Sequence, residues 1–142
     1  MKNILIAVFI LVLMFLGCSG KKDISTNIQA YNLDCYAYPA DDGWEVNGSF
    51  QVKDFAAKEE SGLFKSSFTY TVDLISADQK KTEKVALGNM VKEQKEKPAD
   101  AQIDLQFIIK STNKTGTYTL NITVTDETTK KTAVISKPIV LE

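Results

Sequence analysis

Apolar and polar side chains alternate along most of the chain after residue 30, in short runs separated by polar, turn-forming residues. Alternation places every second side chain on the same side of an extended backbone, so it predicts β-strands with one buried face. Seven such runs are present, at 31–37, 44–52, 68–74, 85–91, 101–109, 118–124 and 132–141. The chain is therefore predicted to be all-β beyond residue 25.

The segments between these runs have the composition of turns and short loops. Three of them predict hairpin connections, namely 39–43, 78–81 and 126–131. A longer segment is expected to contain one helical turn that begins at Asp54 and ends at Gly62. Residues 92–100 predict a charged loop, because Pro98 has no backbone N–H for a sheet. Pro138 predicts, for the same reason, that the last strand lies at an edge or contains a bulge.

Seven short strands with turns at this spacing predict two antiparallel sheets packed face to face. The sixth run resembles the sixth strand of immunoglobulin-like and fibronectin type III-like domains, because Gly116 precedes Tyr118 near its start, as in a tyrosine corner. Trp44 resembles the core tryptophan of fibronectin type III domains. The paired immunoglobulin cysteines are missing, and Leu120 stands where the second would be. The resemblance implies a seven-stranded antiparallel immunoglobulin-like sandwich over residues 26–142.

The first residues follow another pattern. Lys2 precedes the run 4–16, which has no polar side chain and is shorter than the roughly 20 apolar residues that cross a bilayer. This length is typical of the apolar core of a secretory signal peptide. The run ends in the sequence FLGC, which resembles the lipobox of bacterial lipoproteins through Gly17 and Cys18.

The lipobox resemblance implies a processed, lipid-anchored protein of the bacterial cell envelope. It implies that residues 1–17 are a signal peptide, that Cys18 carries acyl chains, and that residues 18–25 tether the domain to the membrane. The two residues after the cysteine are Ser and Gly rather than Asp, which resembles lipoproteins sorted to the outer membrane. The alternative is an uncleaved N-terminal helix that anchors the chain as a single span.

The charged residues exclude several classes of function. All 17 basic residues are lysine, and the chain contains neither His nor Arg. This excludes His-based catalytic triads, His metal ligands and the two-pronged grip of Arg on phosphate or carboxylate. With a formal net charge of −1, the chain has no general attraction to nucleic acid. We expect no nucleic-acid partner, no cofactor, no metal site and no catalytic residues.

Two pairs of adjacent carboxylates have the chemistry of calcium ligands. They are Asp41 with Asp42 and Glu59 with Glu60, and no further ligands follow either pair at the spacing of a calcium loop. We expect both pairs to be solvated. Most aromatic residues of the runs lie on the apolar phase and are expected in the core, namely Trp44, Phe50, Phe68, Tyr70 and Tyr118.

The first predicted strand presents different residues on its two sides. Cys35 shares the apolar phase and is expected to be a small buried hydrophobe. Tyr36 and Tyr38 fall on the opposite phase, so one or both are expected to be exposed unless a neighbouring strand or loop shields them. Exposed tyrosines suit contact with protein or carbohydrate, which makes these two side chains a candidate partner surface.

Lysines flank the weakest predicted strand. Because the run 85–91 has the least regular alternation, we expect it at a sheet edge, beside Lys80, Lys81 and Lys84. Lysines at an edge prevent sheet-to-sheet aggregation, and they also attract acidic partners. Both interpretations are open, so the three lysines form a second candidate partner surface.

Two classes of function are compatible with these features. The first is a non-catalytic lipoprotein whose sandwich binds a protein or glycan, or serves as an accessory subunit in the envelope. The second is a small hydrolase that uses only carboxylates, as a carboxylate-pair glycosidase does. A sandwich with short loops offers little material for a substrate cleft, so the binding or accessory role is favoured.

Overall fold

Residues 27–142, the part of the chain that the computed structural model describes, form eight β-strands and no helix. The strands are β1 (Gln29–Ala40), β2 (Gly43–Lys53), β3 (Lys58–Glu60), β4 (Leu63–Ser76), β5 (Lys81–Gln94), β6 (Asp100–Lys110), β7 (Gly116–Asp126) and β8 (Thr132–Leu141). The all-β prediction is confirmed, and each of the seven predicted runs lies on a strand. The prediction of seven strands is wrong by one, because β3 is an eighth.

The strands form two antiparallel sheets. One contains three strands in the order β1-β2-β6. In the other, β4 pairs with β3, β5 and β7, and β7 pairs with β8. The chain thus returns from the five-stranded sheet to the three-stranded sheet at β6 and then crosses back at β7. Within the described residues β8 pairs with β7 alone, so the prediction that Pro138 lies on an edge strand is confirmed.

Side chains from the inner faces of both sheets meet in one hydrophobic core, so the fold is β-sandwich-like. Its largest fully buried side chains include Phe50, Phe68, Leu74, Ile103, Ile109, Leu120, Ile122 and Leu141. Trp44 is buried as predicted, and its indole Nε1–H donates to the backbone carbonyl of Glu142 at 2.9 Å. This bond ties the start of β2 to the C-terminal end of the chain.

The segment after β2 corrects the prediction of a helical turn between Asp54 and Gly62. Asp54 has a φ of 56°, outside the extended conformation that a helix N-cap adopts. The Phe55 ring packs edge-on against Phe68 with 4.9 Å between ring centroids. Burial of Phe55 holds this segment extended into β3, and a tight turn with positive φ at Ser61 and Gly62 then leads into β4.

The connections otherwise follow the prediction. Turns at 41–42, 77–80 and 127–131 join β1 to β2, β4 to β5 and β7 to β8. The charged loop is shorter than predicted, since β5 continues to Gln94 and β6 begins at Asp100. The Tyr118 hydroxyl donates to the backbone carbonyl of Lys114 at 2.8 Å. This bond ties the loop before β7 to the first residues of that strand.

Candidate functional site: the outer face of the three-stranded sheet

Polar and aromatic side chains cover the outer face of the three-stranded sheet. Because Trp44 and Val46 point into the core, the intervening Glu45 and the following Asn47 point outward. Glu45 lies opposite Tyr38, and Asn47 lies opposite Tyr36 on β1 and opposite Gln106 on β6. We call the five outward side chains Tyr36, Tyr38, Glu45, Asn47 and Gln106 the tyrosine–amide face.

Both tyrosines of this face are exposed, as the alternation predicts. Tyr36 is 56% exposed and Tyr38 is 54% exposed. The Tyr36 hydroxyl donates to Asp34 Oδ2 at 3.1 Å, and this hydrogen bond raises the pKa of Tyr36. Lys137 Nζ lies 2.5 Å from Asp34 Oδ1 and 5.4 Å from the Tyr36 ring centroid. The hydrogen bond from Lys137 lowers the pKa of Asp34, so Asp34 is ionised at neutral pH and holds the Tyr36 ring in place.

Glu45 organises the two amides of the face. Its Oε1 accepts a hydrogen bond from Gln106 Nε2 at 2.8 Å and another from Asn47 Nδ2 at 3.1 Å. The Gln106 bond, and then the Asn47 bond, lowers the pKa of the Glu45 carboxyl. Each amide keeps one N–H and its carbonyl oxygen, and Glu45 keeps its second oxygen. The face therefore presents donors and acceptors whose orientation is already fixed.

Two separate open hollows are lined by Tyr70. One, of about 560 Å³, adjoins the amides beside β2 and β6. The other, of about 440 Å³, lies against β4 and β5 and is lined by neither amide. The hollow beside β2 and β6 is lined by Asn47, Gly48, Tyr70, Asp104, Leu105 and Gln106. Tyr70 is only partly buried, and burial raises the pKa of its hydroxyl. The amide pair thus borders a space into which a bound molecule could extend.

The three lysines lie at the start of β5, and two of them contact Asp73. Lys81 Nζ lies 2.8 Å from Asp73 Oδ2 and 3.2 Å from Glu83 Oε1. The backbone N–H of Lys84 donates to Asp73 Oδ1 at 2.9 Å. Burial raises the pKa of Asp73, but the hydrogen bonds from Lys81 and the Lys84 amide outweigh it, so the pKa lies below its ordinary value. Lys80 is exposed in the preceding turn.

Asp73 sits at an irregularity in the β4–β5 pairing. Val72 pairs with Ala86 while Leu74 pairs with Thr82, so Asp73 alone faces the three residues 83–85. Lys84 has a φ of 54° in this bulge. Within the described residues β5 pairs with β4 alone, so the prediction of an edge strand is confirmed, although the strand is longer than the run 85–91. Bulges and lysines are both common means of protecting an edge.

The remaining candidate residues are Cys35 and the two pairs of adjacent carboxylates. Cys35 is buried, which raises the pKa of its thiol, and it forms no disulfide with another described residue. Asp41 and Asp42 are exposed in the β1–β2 turn, and Glu59 and Glu60 are exposed on β3. Between residues 27 and 142 no group of three or more acidic or cysteine side chains is placed to hold a metal ion.

The predictions for the N-terminus concern residues before 27. The signal peptide, the lipidated Cys18 and the tether all lie outside the described residues. Within the described residues no helix is long and apolar enough to span a bilayer.

Several important residues were missed by reasoning from sequence. Glu45, Asn47 and Gln106 could have been noticed as polar residues on the outward phase of the second and fifth predicted strands, but their mutual contacts depend on register. Asp126 is fully buried and accepts hydrogen bonds from the Ala56 amide, the Thr128 amide and the Thr129 hydroxyl, each at 2.9 Å. Its burial has no local sequence signature.

Comparison with known proteins gives no relative from which a function could be transferred. The chain matches no protein-family model and no curated protein sequence. Its function must therefore be argued from the chemistry of its own surfaces.

Proposed function

We propose that this chain is a non-catalytic lipoprotein of the bacterial cell envelope, anchored through acyl chains on Cys18, whose β-sandwich is a binding or accessory module. The outer membrane is the favoured location. The observation that carries the binding role is the tyrosine–amide face, where two exposed tyrosines lie beside amides that Glu45 holds in fixed orientations. Exposed aromatic side chains next to pre-oriented polar groups are typical of recognition surfaces.

We further propose an immunoglobulin-like, fibronectin type III-like topology. In seven-stranded immunoglobulin domains the first, second, fourth and fifth strands form one sheet, and the third, sixth and seventh form the other. With β3 counted as a short hairpin arm, β1, β2 and β6 are the first, second and fifth strands, and β4, β7 and β8 are the third, sixth and seventh, in the sheets that this assignment requires. The fourth strand, β5, departs from the immunoglobulin order because it pairs with β4. The hydrogen bond from Tyr118 to Lys114 at the start of β7 supports it as well, because it has the geometry of a tyrosine corner.

The geometry of the domain is compatible with a membrane anchor at its N-terminal end. Asn27 lies beside the β7–β8 turn, where its Oδ1 is 3.5 Å from Lys131 Nζ. Tyr38 lies nine residues beyond Gln29 on β1, which corresponds to about 30 Å of extended chain. A tether that ends near Asn27 would therefore join the domain at the end of β1 that lies farther from Tyr38.

The electrostatics of the face support binding rather than hydrolysis. A carboxylate-pair glycosidase needs one carboxylic acid that stays protonated near neutral pH, which requires a raised pKa. Hydrogen bonds instead lower the pKa of both Asp34 and Glu45, the two carboxyls beside the tyrosines. Neither is suited to act as a general acid.

Acylation of the full-length chain in bacteria tests the anchor. Cells that express the wild type and are fed a labelled palmitate analogue should yield a labelled protein in the membrane fraction. Cys18→Ala should lose the label, whereas Cys35→Ala, which removes the other cysteine of the chain, should keep it. A Cys18→Ala protein that is unlabelled but still membrane-bound indicates the uncleaved helix, and one that is still labelled contradicts the lipobox assignment.

Capture from solubilised envelopes tests the binding role. The wild-type lipoprotein should retain envelope components that a Tyr36→Ala/Tyr38→Ala variant does not, while both proteins have the same circular dichroism spectrum. Equal capture by the two proteins contradicts a binding role for the tyrosine–amide face.

A further inference from the structure

The free hydrogen-bonding groups of the tyrosine–amide face indicate what kind of ligand it takes. Asn47 and Gln106 are opposite neighbours on β2 and β6, and each uses one N–H on Glu45 Oε1. Each amide is left with one donor and one acceptor side by side in a plane. Adjacent hydroxyl groups on a sugar ring also donate and accept side by side, so they match this pattern.

The tyrosines supply the complementary apolar contact. Tyr36 and Tyr38 are two residues apart on β1 and project from the same side, about 6.6 Å apart along the strand. A phenol ring has an apolar face and one polar tip. A sugar ring likewise has apolar C–H faces and a polar rim, so it can lie against a tyrosine and bond the amides at the same time.

The charges of the face do not favour an anionic ligand. Four carboxylates, Asp34, Glu45, Asp100 and Asp104, lie on the outward phase of this sheet, against two lysines, Lys53 and Lys110. Lys137 is close to the tyrosines, but Asp34 neutralises it, and the chain has no Arg. The carboxylates therefore outnumber the lysines around the tyrosine–amide face, and a phosphorylated or carboxylated polymer gains no net attraction here.

The apolar area of the face is too small for the core of a protein interface. Within residues 27–142, the outward phase of this sheet has one large aliphatic side chain that is clearly exposed. It is Ile108, which is 43% exposed. More exposed aliphatic side chains lie on the outer side of the five-stranded sheet, namely Leu87, Val91, Val134 and Val140. A protein partner that needs an apolar core fits that sheet better.

We infer that the tyrosine–amide face binds an uncharged, hydroxyl-rich glycan. The chain of sugars lies across β1, β2 and β6, with one ring against Tyr38, because Lys137 already lies over the Tyr36 ring. The hydroxyls of a neighbouring ring bond to Asn47 and Gln106. The distance from β1 to β6 is about 10 Å, which accommodates more than one ring. This inference rests on the proposed binding function and names its ligand class.

Defined oligosaccharides test the inference directly. The full-length lipoprotein in detergent is titrated by calorimetry with neutral tetramers of β-1,4-linked glucose, β-1,4-linked N-acetylglucosamine and α-linked mannose, and with a tetramer of galacturonic acid. At least one neutral tetramer should bind, and the acidic tetramer should not. Affinity should change less than about twofold between roughly 0.05 and 0.5 M salt, because an uncharged ligand is not screened.

Variants locate the binding site. Tyr38→Ala should lower the affinity for the neutral tetramer roughly tenfold or more, because a tenfold loss is the scale of one lost stacking contact. Tyr38→Phe should stay within about threefold of the wild type, because it keeps the ring. The double variant Asn47→Ala/Gln106→Ala should also bind the neutral tetramer with an affinity about tenfold lower or more, as expected when fixed hydrogen bonds are removed. Thr71→Ala, on the outer side of the five-stranded sheet, is the matched control and should bind as the wild type does.

Three outcomes overturn the glycan assignment. They are the absence of binding to every neutral tetramer, preference for the acidic tetramer, and binding that survives Tyr38→Ala. If no tetramer binds while a protein is still captured from envelopes in a tyrosine-dependent way, the ligand class is wrong and the binding function stands. If tyrosine-dependent capture also fails, both proposals are wrong.

Discussion

The tyrosine–amide face and the edge strand β5 both expose polar side chains, but their hydrogen-bonding groups are used differently. On the face, Glu45 accepts one N–H from each of the amides of Asn47 and Gln106 and leaves their other N–H and their carbonyl oxygens free. On β5, Lys81 and the Lys84 amide both bond to the nearly buried Asp73. A surface is thus better judged by the hydrogen-bonding capacity that remains free than by its charge.

The two regions also differ in the regularity of their strand pairing. The β1-β2-β6 pairing is regular from Asp34 to Ala40 and along the whole of β2 and β6, so the backbone beneath the face has no bulge. The β4–β5 pairing is interrupted at Asp73, and Lys84 adopts a positive φ. A regular sheet surface keeps its outward side chains at constant spacing, whereas a bulged edge resists the addition of another strand.

The largest expected effect is on stability, and it compares the inner side of β2 with the outer side. Trp44→Ala removes a buried ring and its hydrogen bond to Glu142, and it should lower the free energy of unfolding by about 3–5 kcal/mol. Asn47→Ala, three residues along on the outer side, should change it by less than about 0.5 kcal/mol. Urea denaturation followed by circular dichroism measures both. Equal losses would mean that the outer side chains also support the fold.

The next largest effect concerns Asp73. Asp73→Ala leaves the Lys84 amide without its acceptor and should cost about 1–3 kcal/mol. Glu83→Ala is the control, because Glu83 also bonds Lys81 but its side chain is 68% exposed against 13% for Asp73. It should cost less than about 0.5 kcal/mol. If Asp73→Ala is as stable as the wild type, the bulge does not depend on this carboxylate.

The same residue predicts a dependence of stability on pH. Because the pKa of Asp73 is lower in the folded state, its contribution to stability is complete above the unfolded-state pKa of about 3.9. The contribution is lost as the pH falls through the lower folded-state value. The difference in unfolding free energy between the wild type and Asp73→Asn should therefore be constant from about pH 7 to 5 and shrink at lower pH. A difference that grows on acidification would contradict the lowered pKa.

Most of the fold could be predicted from sequence because strand formation depends on a local pattern. Alternation of period two identifies seven of the eight strands, including the edge strand β5. The eighth, β3, has only the residues KEE, all exposed, and it forms through its pairing with β4. The helical turn was expected there because local propensity favours it, but burial of Phe55 against Phe68 decided the conformation.

The candidate site could be predicted only in part, for a related reason. The exposure of Tyr36 and Tyr38 follows from the alternation of a single strand. The contact between Glu45 and Gln106 depends on the register of two strands that are 61 residues apart in sequence. Local patterns do not specify such a register, and the contact between Asp73 and Lys81 also depends on a bulge that no local pattern marks.

A smaller effect is expected from charge reversal on the edge. Lys81→Glu replaces the partner of Asp73 with a like charge and should cost roughly 1 kcal/mol, whereas Lys80→Glu in the exposed turn should be nearly neutral. The triple change of Lys80, Lys81 and Lys84 to Glu should leave the solubility and the oligomeric state of the protein as in the wild type, because either sign of charge protects an edge. Light scattering and urea denaturation measure these effects. If the triple variant loses tyrosine-independent capture of an acidic envelope protein, the edge is a partner surface after all.

The smallest expected effect on stability is on the tyrosine–amide face. Tyr36 and Tyr38 are more than half exposed, and neither contributes to the buried core. Tyr38→Ala should therefore change the free energy of unfolding by less than about 0.5 kcal/mol. Tyr36→Ala should have a similarly small effect, since the hydrogen bond that it removes, to Asp34, lies in solvent. A small effect of both changes is the result expected if these side chains serve the proposed ligand contact rather than the fold. Thermal and urea denaturation of both variants measure the effect. A loss above about 1.5 kcal/mol, of the size seen when a large side chain leaves an apolar contact, would show that the rings shield the sheet and would remove the main argument for a binding face.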